Sequence, residues 1–300
     1  MMQQEPLFPT FRSPQQQAPV NVASVPQRSV FRYPGGKTWL VPVFRRFMAR
    51  QSARLGQSPA LLVETFAGGG IIGLTAAFEQ LAQKVLLVEL DEQVAAVWQA
   101  LLGGEAEWLA KRVLQFELTT ESLRRTLHQQ NHEGRERAFA TLLKNRTAHG
   151  GILAEGAGTI KSGENGRGIT SRWYPETLAQ RIRNIQSVTA HLTFEHGNAF
   201  DVIARHKADP NTVFFIDPPY TAGGKRAGQR LYKYAHIDHE LLFLECSKTQ
   251  GDFLMTYDNT QEVVDLASRY GFCTKAIAMK NTHHAKMTEL LISKDLSWLD

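Results

Sequence analysis

Apolar residues occur in short continuous runs that alternate with glycine turns and amphipathic stretches over much of the chain. Residues 61–65 and 84–90 are two such runs, and each is typical of a buried strand. Between them lie a glycine turn at 66–70 and a predicted helix from 71 to about 83, and Asp91 opens a further helix that ends near residue 102. Strand, glycine turn, helix and strand form a βαβ unit, which predicts a parallel sheet covered on both faces.

The same pattern returns in the last third of the chain. Residues 212–216 form a predicted buried strand that runs directly into Asp217. A helix from about residue 238, a strand at 252–256, a helix from about 261 and a strand near 289–292 follow it, and an earlier helix covers about 39–50. The predicted fold class is therefore α/β.

Residues 105–195 interrupt this alternation. Their pattern is mainly helical, but seven glycines fall between residues 150 and 168. Residues 111–190 carry 13 Lys and Arg against 7 Asp and Glu, whereas the net charge of the whole chain is only +5. Basic charge is thus concentrated in the middle block, which favours a nucleic-acid surface. A solvated helical insertion is the alternative.

The composition narrows the setting in which we expect the protein to work. Residues 1–29 hold six Gln and five Pro, which predicts a disordered tail. No window approaches the roughly 18 consecutive apolar residues that span a bilayer, and the first residues lack the apolar run of a signal peptide. Cys246 and Cys273 are too few for a disulfide framework or a zinc site. We therefore expect a cytoplasmic protein without a metal.

Two glycine turns are candidate ligand sites. Residues 36–38 resemble the end of a P-loop. However, Phe31 occupies the position where a P-loop requires its first glycine, so that interpretation fails. Gly68–Gly70 suits close approach by a nucleoside, and Glu89 stands 21 positions after Gly68, where it could accept hydrogen bonds from ribose hydroxyls. Without a spaced dinucleotide fingerprint, an oxidoreductase is disfavoured. An ordinary tight turn and an ordinary acid at a helix start are the alternative.

The strand at 212–216 ends in Asp217, Pro218, Pro219 and Tyr220. Two prolines stiffen the backbone and remove two N–H donors, which leaves carbonyl groups as acceptors. A carboxylate, exposed carbonyls and an aromatic face can together hold a planar ring that bears an amino group. By itself, such a tetrapeptide after a strand is a structural turn about as often as it is part of a functional site.

Together these segments resemble a known family, the alpha-group DNA adenine-N6 methyltransferases that include the DNA adenine methylase. Residues 34–37, 66–70 and 217–220 occur in the order of that group, and the resemblance covers residues 30–295. The 149 positions between Gly68 and Asp217 would hold a target-recognition insert. The resemblance implies a Rossmann-like methyltransferase sheet at 30–104 and 196–300, with a mainly helical insert at 105–195.

The resemblance also implies S-adenosylmethionine as the methyl donor. By match, the residues expected to bind this cofactor are Tyr33, Lys37, Phe66, Ala67, Gly68, Gly69, Gly70, Glu89, Asn198 and Asp217. Asn198 departs from the family, which often has an acid at that position.

The implied reaction is methylation of a flipped-out adenine by a site built from Asp217, Pro218, Pro219 and Tyr220. The residues expected to contact double-stranded DNA are Asn145 and Arg146 in the insert and Lys225, Arg226 and Arg230 in the loop after Tyr220. A restriction endonuclease is a further partner that this reading allows.

Two other functions stay open at this stage. One is N-methylation of RNA or of a protein glutamine, although those families place the proline motif soon after the glycine turn. The other is a catalytically inactive DNA-binding relative, which the intact segment from Asp217 to Tyr220 disfavours.

Overall fold

The computed structural model describes residues 24–33, 35–129, 133–154, 156–219, 237–280 and 286–299. In this part of the chain, seven strands form one mixed sheet in the order β3-β2-β1-β4-β5-β7-β6. The strands are β1 (Leu61–Glu64), β2 (Lys84–Glu89), β3 (Leu192–His196), β4 (Thr212–Ile216), β5 (Asp252–Asp258), β6 (Cys273–Lys280) and β7 (Lys286–Ser293). Strands β1 to β5 are parallel, and β7 is antiparallel to both β5 and β6.

Ten α-helices lie within the described residues. They are α1 (Val41–Leu55), α2 (Ile71–Glu79), α3 (Glu92–Leu102), α4 (Ala106–Gln115), α5 (Thr120–His128), α6 (Gly134–Thr147), α7 (Pro175–Gln186), α8 (Ala199–His206), α9 (His239–Ser247) and α10 (Gln261–Arg269). None of these helices has the length and apolar character needed to cross a membrane.

Helices cover both faces of the sheet, as the βαβ pattern predicts. Side chains such as Leu62 and Phe215 pack on one face against α1, α2, α3 and the helices of the middle block. Their neighbours Val63 and Phe214 point to the other face, where α8, α9 and α10 cover them. This alternation follows from the two-residue period of a strand, and it makes the central strands apolar on both sides.

The sequence analysis did not predict β3 and β6, which are the two edge strands of the sheet. Strand β3 reads Leu-Thr-Phe-Glu-His and is mostly half-exposed. Strand β6 carries two lysines within Cys273–Lys280. Edge strands have only one neighbour, and polar residues protect them from pairing with other chains. They therefore lack the continuous apolar run that identified the central strands.

Two other boundaries differ from expectation. The helix expected at 71–83 ends at Glu79, because Gln80 adopts a left-handed conformation with φ of 53° that stops it. The helix expected at 39–50 begins at Val41, after a 3-10 turn at Lys37–Leu40, and continues to Leu55.

The middle block and the end of the predicted tail both pack against the sheet and its helices. Helix α6 lies against α3, and the buried side chains of α4, α6 and α7 belong to the same apolar core as β1 and β2. The predicted boundary at residue 195 falls inside β3. Residues 24–29 were expected in a disordered tail, yet Val25 is buried and the Arg28 guanidinium donates to Glu79 at 3.2 Å.

We predict that Phe253→Ala lowers the free energy of unfolding by about 3–5 kcal/mol, because it opens a cavity in the core. Phe253 is fully buried in β5, and its ring centroid lies 4.8 Å from that of Phe272. The control is Leu241→Ala on α9, where the side chain is 40% exposed and the expected loss is below about 0.5 kcal/mol. Urea unfolding measures both values, and equal losses would contradict this view of the core.

Candidate active site

Acidic side chains stand at the carboxyl ends of the parallel strands. Glu64 ends β1, Glu89 ends β2, Asp217 follows β4 and Asp258 ends β5. The strand order reverses between β1 and β4: it runs outward from β1 to β2 and β3 on one side, and from β4 to β5 on the other. Open parallel sheets bind ligands in the crevice at such a reversal, so these acids surround the expected ligand position.

A cavity of about 890 Å³ opens at this edge of the sheet. It brings together most of the residues predicted for the cofactor and the target base. The predicted residues that line it are Tyr33, Lys37, Phe66, Ala67, Gly69, Gly70, Glu89, Asn198, Asp217 and Pro219.

The glycine loop after β1 requires glycine at two positions. Gly68 and Gly70 have positive φ values of 46° and 62°. A Cβ atom on Gly68 would come within 2.6 Å of the Tyr33 ring, and one on Gly70 within 2.6 Å of Trp98. Trp98 Nε1 also donates to the Gly68 carbonyl at 3.0 Å. The loop is therefore clamped between two aromatic side chains, and its backbone faces the cavity.

Glu89 holds this loop through its carboxylate. Its Oε2 accepts from the Gly68 N–H at 2.8 Å, and its Oε1 accepts from the N–H groups of Leu90 and Asp91, each at 2.9 Å. Burial raises the pKa of Glu89, while these N–H donors oppose the shift. A carboxylate has about four acceptor positions, so three are occupied and one remains for a hydroxyl ligand.

Asn198 lies at the cavity wall where β3 ends. Its Oδ1 caps helix α8 by accepting from the Phe200 N–H at 3.0 Å. Phe200 lines the cavity beside it. The side-chain oxygen is thus committed to the helix, and the amide nitrogen is the part of Asn198 suited to a ligand acceptor.

Asp217 is held by two side chains from other parts of the chain. Its Oδ1 accepts from the Thr256 hydroxyl on β5 at 2.7 Å, and its Oδ2 pairs with Lys37 Nζ at 2.8 Å. The side chain is 21% exposed, so it remains accessible from the cavity. Oriented in this way, the carboxylate retains acceptor positions for an incoming amine.

Lys37 lies between two acidic side chains and a backbone carbonyl. Its ammonium donates to the Gly35 carbonyl at 2.8 Å, pairs with Asp217 and lies 3.6 Å from Glu289 Oε2. Burial alone would lower the pKa of Lys37, but the carboxylates of Asp217 and Glu289 outweigh burial and raise it. The contact with a cofactor stays a prediction, since Lys37 lines the cavity but its three protons already face acceptors.

Comparison with known protein families agrees with this arrangement. The sequence profile of the D12 class N6 adenine-specific DNA methyltransferases matches residues 33–282. The chain belongs to this family. The match includes the glycine loop, the middle block and the segment from Asp217 to Tyr220, which confirms the resemblance seen in the sequence.

The chain also shows distant similarity to solved structures. One is the rRNA methyltransferase aviRa from Streptomyces viridochromogenes, with 14% identity, a TM-score of 0.43, and coverage of 93% of this chain and 97% of that one. Another is a methyltransferase from Geobacter sulfurreducens, with 10% identity, a TM-score of 0.36, and coverage of 84% and 78%. These distant likenesses carry no information on the substrate. No curated protein sequence is significantly similar to the chain.

The sequence analysis missed two acids of this methyltransferase site. Glu64 accepts from the Gly73 N–H at 2.6 Å, and burial raises its pKa to about 8. Its position as the last residue of β1, directly before the glycine loop, was a usable signal. Glu289 lies opposite Lys37, and burial raises its pKa to about 7. Only the fold shows that residue 289 reaches this cavity, because it arrives on the antiparallel strand β7.

The residues predicted to contact DNA are not all where the resemblance implies. Asn145 is fully buried and Arg146 is 6% exposed. Asn145 hydrogen-bonds with the Arg32 N–H and carbonyl, each at 2.9 Å, and Arg146 donates to the Val30 carbonyl. In this structure both side chains support the N-terminal segment and do not face solvent. Tyr220, Lys225, Arg226 and Arg230 lie outside the described residues.

We predict that Glu64→Gln reduces the loss of stability that accompanies a rise in pH from 4.5 to 8. The pKa of Glu64 rises from 4.5 to about 8 on folding. Between pH 4.5 and 8, the folded state therefore keeps a proton that the unfolded state has lost. Stability therefore falls as pH rises over this range, by up to about 1.4 kcal/mol per pH unit.

The variant removes this proton uptake, so it should gain stability relative to the wild type from pH 4.5 to 8. Thermal unfolding across that range measures the difference, with the exposed Glu262→Gln on α10 as control. A constant difference between Glu64→Gln and wild type would contradict the assignment.

Proposed function

We propose that the protein transfers the methyl group of S-adenosylmethionine to N6 of adenine at a specific sequence in double-stranded DNA. The observation that carries this proposal is the position of the Asp217–Pro219 segment. It ends the central strand β4 and shares one cavity with the glycine loop and Glu89. A donor site and an acceptor site thus meet at the centre of the sheet.

The residues present fit S-adenosylmethionine. The cavity volume lies within the range of about 300–1,000 Å³ that is usual for small-molecule sites. The glycine loop offers exposed backbone to a nucleoside, and Glu89 keeps one acceptor position for a ribose hydroxyl. The Asp217 carboxylate at the cavity wall suits a ligand that carries positive charge.

When bound, S-adenosylmethionine supplies an electrophilic methyl group on a sulfonium. The acceptor N6 of adenine is a weak nucleophile, because its lone pair is shared with the ring. Asp217 and the Pro218 carbonyl can accept its two N–H groups, which favours a pyramidal nitrogen and stabilises the positive charge that develops there. The hydrogen bond from Thr256 and the pair with Lys37 fix the Asp217 carboxylate before the base arrives.

A target base must leave the DNA duplex to reach Asp217, because Asp217 lies at the cavity wall. Tyr220 directly follows the prolines and is the residue we assign to stacking on the extruded base. The concentration of basic residues at 111–190 supports DNA as the polyanionic partner.

Substrate assays decide between DNA and the alternatives. Tritiated methyl transfer to duplex DNA, to RNA and to a glutamine-containing peptide should favour duplex DNA. Sequencing of host DNA for N6-methyladenine after expression would reveal the recognition site. Transfer to RNA or peptide alone would refute the DNA assignment, and binding of DNA without any transfer would indicate an inactive relative.

We predict that Glu89→Ala weakens cofactor binding by about 10- to 100-fold, corresponding to about 1.5–3 kcal/mol. The variant removes the ribose acceptor and also releases the Gly68 N–H that Glu89 holds. Calorimetric titration with S-adenosylhomocysteine measures the affinity, and the exposed acid Asp201→Ala on α8 is the control. An unchanged dissociation constant would remove Glu89 from the cofactor site.

We predict that Asp217→Asn slows methyl transfer by on the order of 10²–10³, because it replaces a charged acceptor with an amide. Single-turnover transfer to duplex DNA measures the chemical step, and 2-aminopurine fluorescence reports base extrusion separately. Asp209→Asn removes an acid just before β4, at the opposite end of the strand, and serves as control. Transfer at the wild-type rate by Asp217→Asn would show that the proline segment is only a turn.

A further inference from the structure

Glu289 is a buried acid that the proposed reaction leaves without a role. Its side chain is 9% exposed and lines the cavity from β7. Among the described residues its buried Oε2 has no hydrogen-bond partner, and Lys37 Nζ lies 3.6 Å away. A buried carboxyl oxygen without a hydrogen bond is costly, so its charge must be offset by the nearby ammonium.

Lys37 connects Glu289 to the acceptor of the target amine. Its Nζ lies 2.8 Å from Asp217 Oδ2, which is a hydrogen-bonded ion pair, and 3.6 Å from Glu289 Oε2, which is a longer charge contact. The donation to the Gly35 carbonyl anchors the ammonium between the two acids. One positive charge is therefore shared by two carboxyl groups, and only Asp217 belongs to the proline segment.

We propose that Glu289 is a positioning residue that acts through Lys37 and sets how strongly Asp217 accepts hydrogen bonds from the target amine. This inference rests on the proposed function. An ionised Glu289 partly neutralises the positive charge of Lys37. Asp217 is then less neutralised by Lys37 and is a stronger hydrogen-bond acceptor for the amine. When Glu289 is protonated, the positive charge of Lys37 acts on Asp217 alone, and Asp217 is then a weaker hydrogen-bond acceptor.

The surroundings of Glu289 make this change of charge relevant near neutral pH. Lys37 faces it from the N-terminal turn, Asp217 from the end of β4 and Asp258 from the end of β5, while its cross-strand neighbour on β6 is the uncharged Ile277. Burial raises the pKa of Glu289 to about 7, with Lys37 opposing the shift and the two aspartates adding to it. Glu289 is therefore ionised above about pH 7 and protonated below it.

Glu289→Gln tests the inference, because it keeps the side-chain length and an oxygen for Lys37 but removes the charge. In the wild type, the single-turnover rate on duplex DNA should rise as pH increases through about 7. The variant should lose this rise in rate. Its rate at pH 8 should be about 10-fold lower than that of the wild type, a factor that corresponds to one pKa unit. Near pH 6 the two rates should be equal. Affinities for DNA and for S-adenosylhomocysteine should change little.

Two further variants separate this role from a merely structural one. Glu289→Asp restores a carboxylate and should recover the rise in rate with pH. Asp252→Asn removes a partly buried acid at the opposite end of the neighbouring strand β5, where it accepts from Gln51 at 2.7 Å, and should keep the wild-type profile. A wild-type pH profile in Glu289→Gln would overturn the inference.

A measurement without turnover distinguishes failure of this inference from failure of the proposed function. In protein labelled with ¹³C at the aspartate carboxyl carbons, the Asp217 resonance is assigned by its loss in Asp217→Asn. It should show an inflection near pH 7 that is absent in Glu289→Gln. If the Asp217 signal depends on pH in the same way in the wild type and in Glu289→Gln, the inference is refuted even if DNA is methylated. The inflection without DNA methylation would refute only the proposed function.

Discussion

The ion pair between Lys37 and Asp217 is the interaction on which the site depends. Lys37 opens the turn that leads into α1, and Asp217 leaves the central strand β4, so their contact closes the N-terminal segment onto the middle of the sheet. Both charges lose hydration when they are buried, which a single contact does not offset. The hydrogen bonds from the Thr256 hydroxyl to Asp217 and from Lys37 to the Gly35 carbonyl complete the pair and help to offset that loss.

The N-terminal segment at residues 24–33 links the glycine loop to the helices of the middle block. Ser29 donates to the Gly69 carbonyl, and the Tyr33 ring lies against Gly68. Arg181 on α7 donates to the Ser29 carbonyl at 3.1 Å from the other side. Asn145 and Arg146 on α6 bind the backbone of residues 30–32 in the same way. The middle block therefore helps to build the cavity wall, in addition to the DNA contacts that its charge suggests.

The fold followed from sequence wherever a segment is buried on both faces. Strands β1, β2, β4 and β5 have continuous apolar runs because helices cover them on two sides, and each was predicted near its observed position. Strands β3 and β6 were missed because edge strands are half-exposed and polar. The packing of residues 24–29 was also missed, since a Gln- and Pro-rich composition carries no sign of a single buried side chain such as Val25.

The candidate site divides in the same way. The sequence by itself determined the glycine loop, Glu89 and the Asp217–Pro219 segment, because each stands at the carboxyl end of a recognisable strand and parallel strands end at one edge. Only the tertiary structure decided that Lys37 is paired with Asp217, that Asn145 is buried, and that Glu289 joins the site. Contacts between positions 180 or 250 residues apart depend on strand order and on the antiparallel return of β7, and local sequence does not encode either of them.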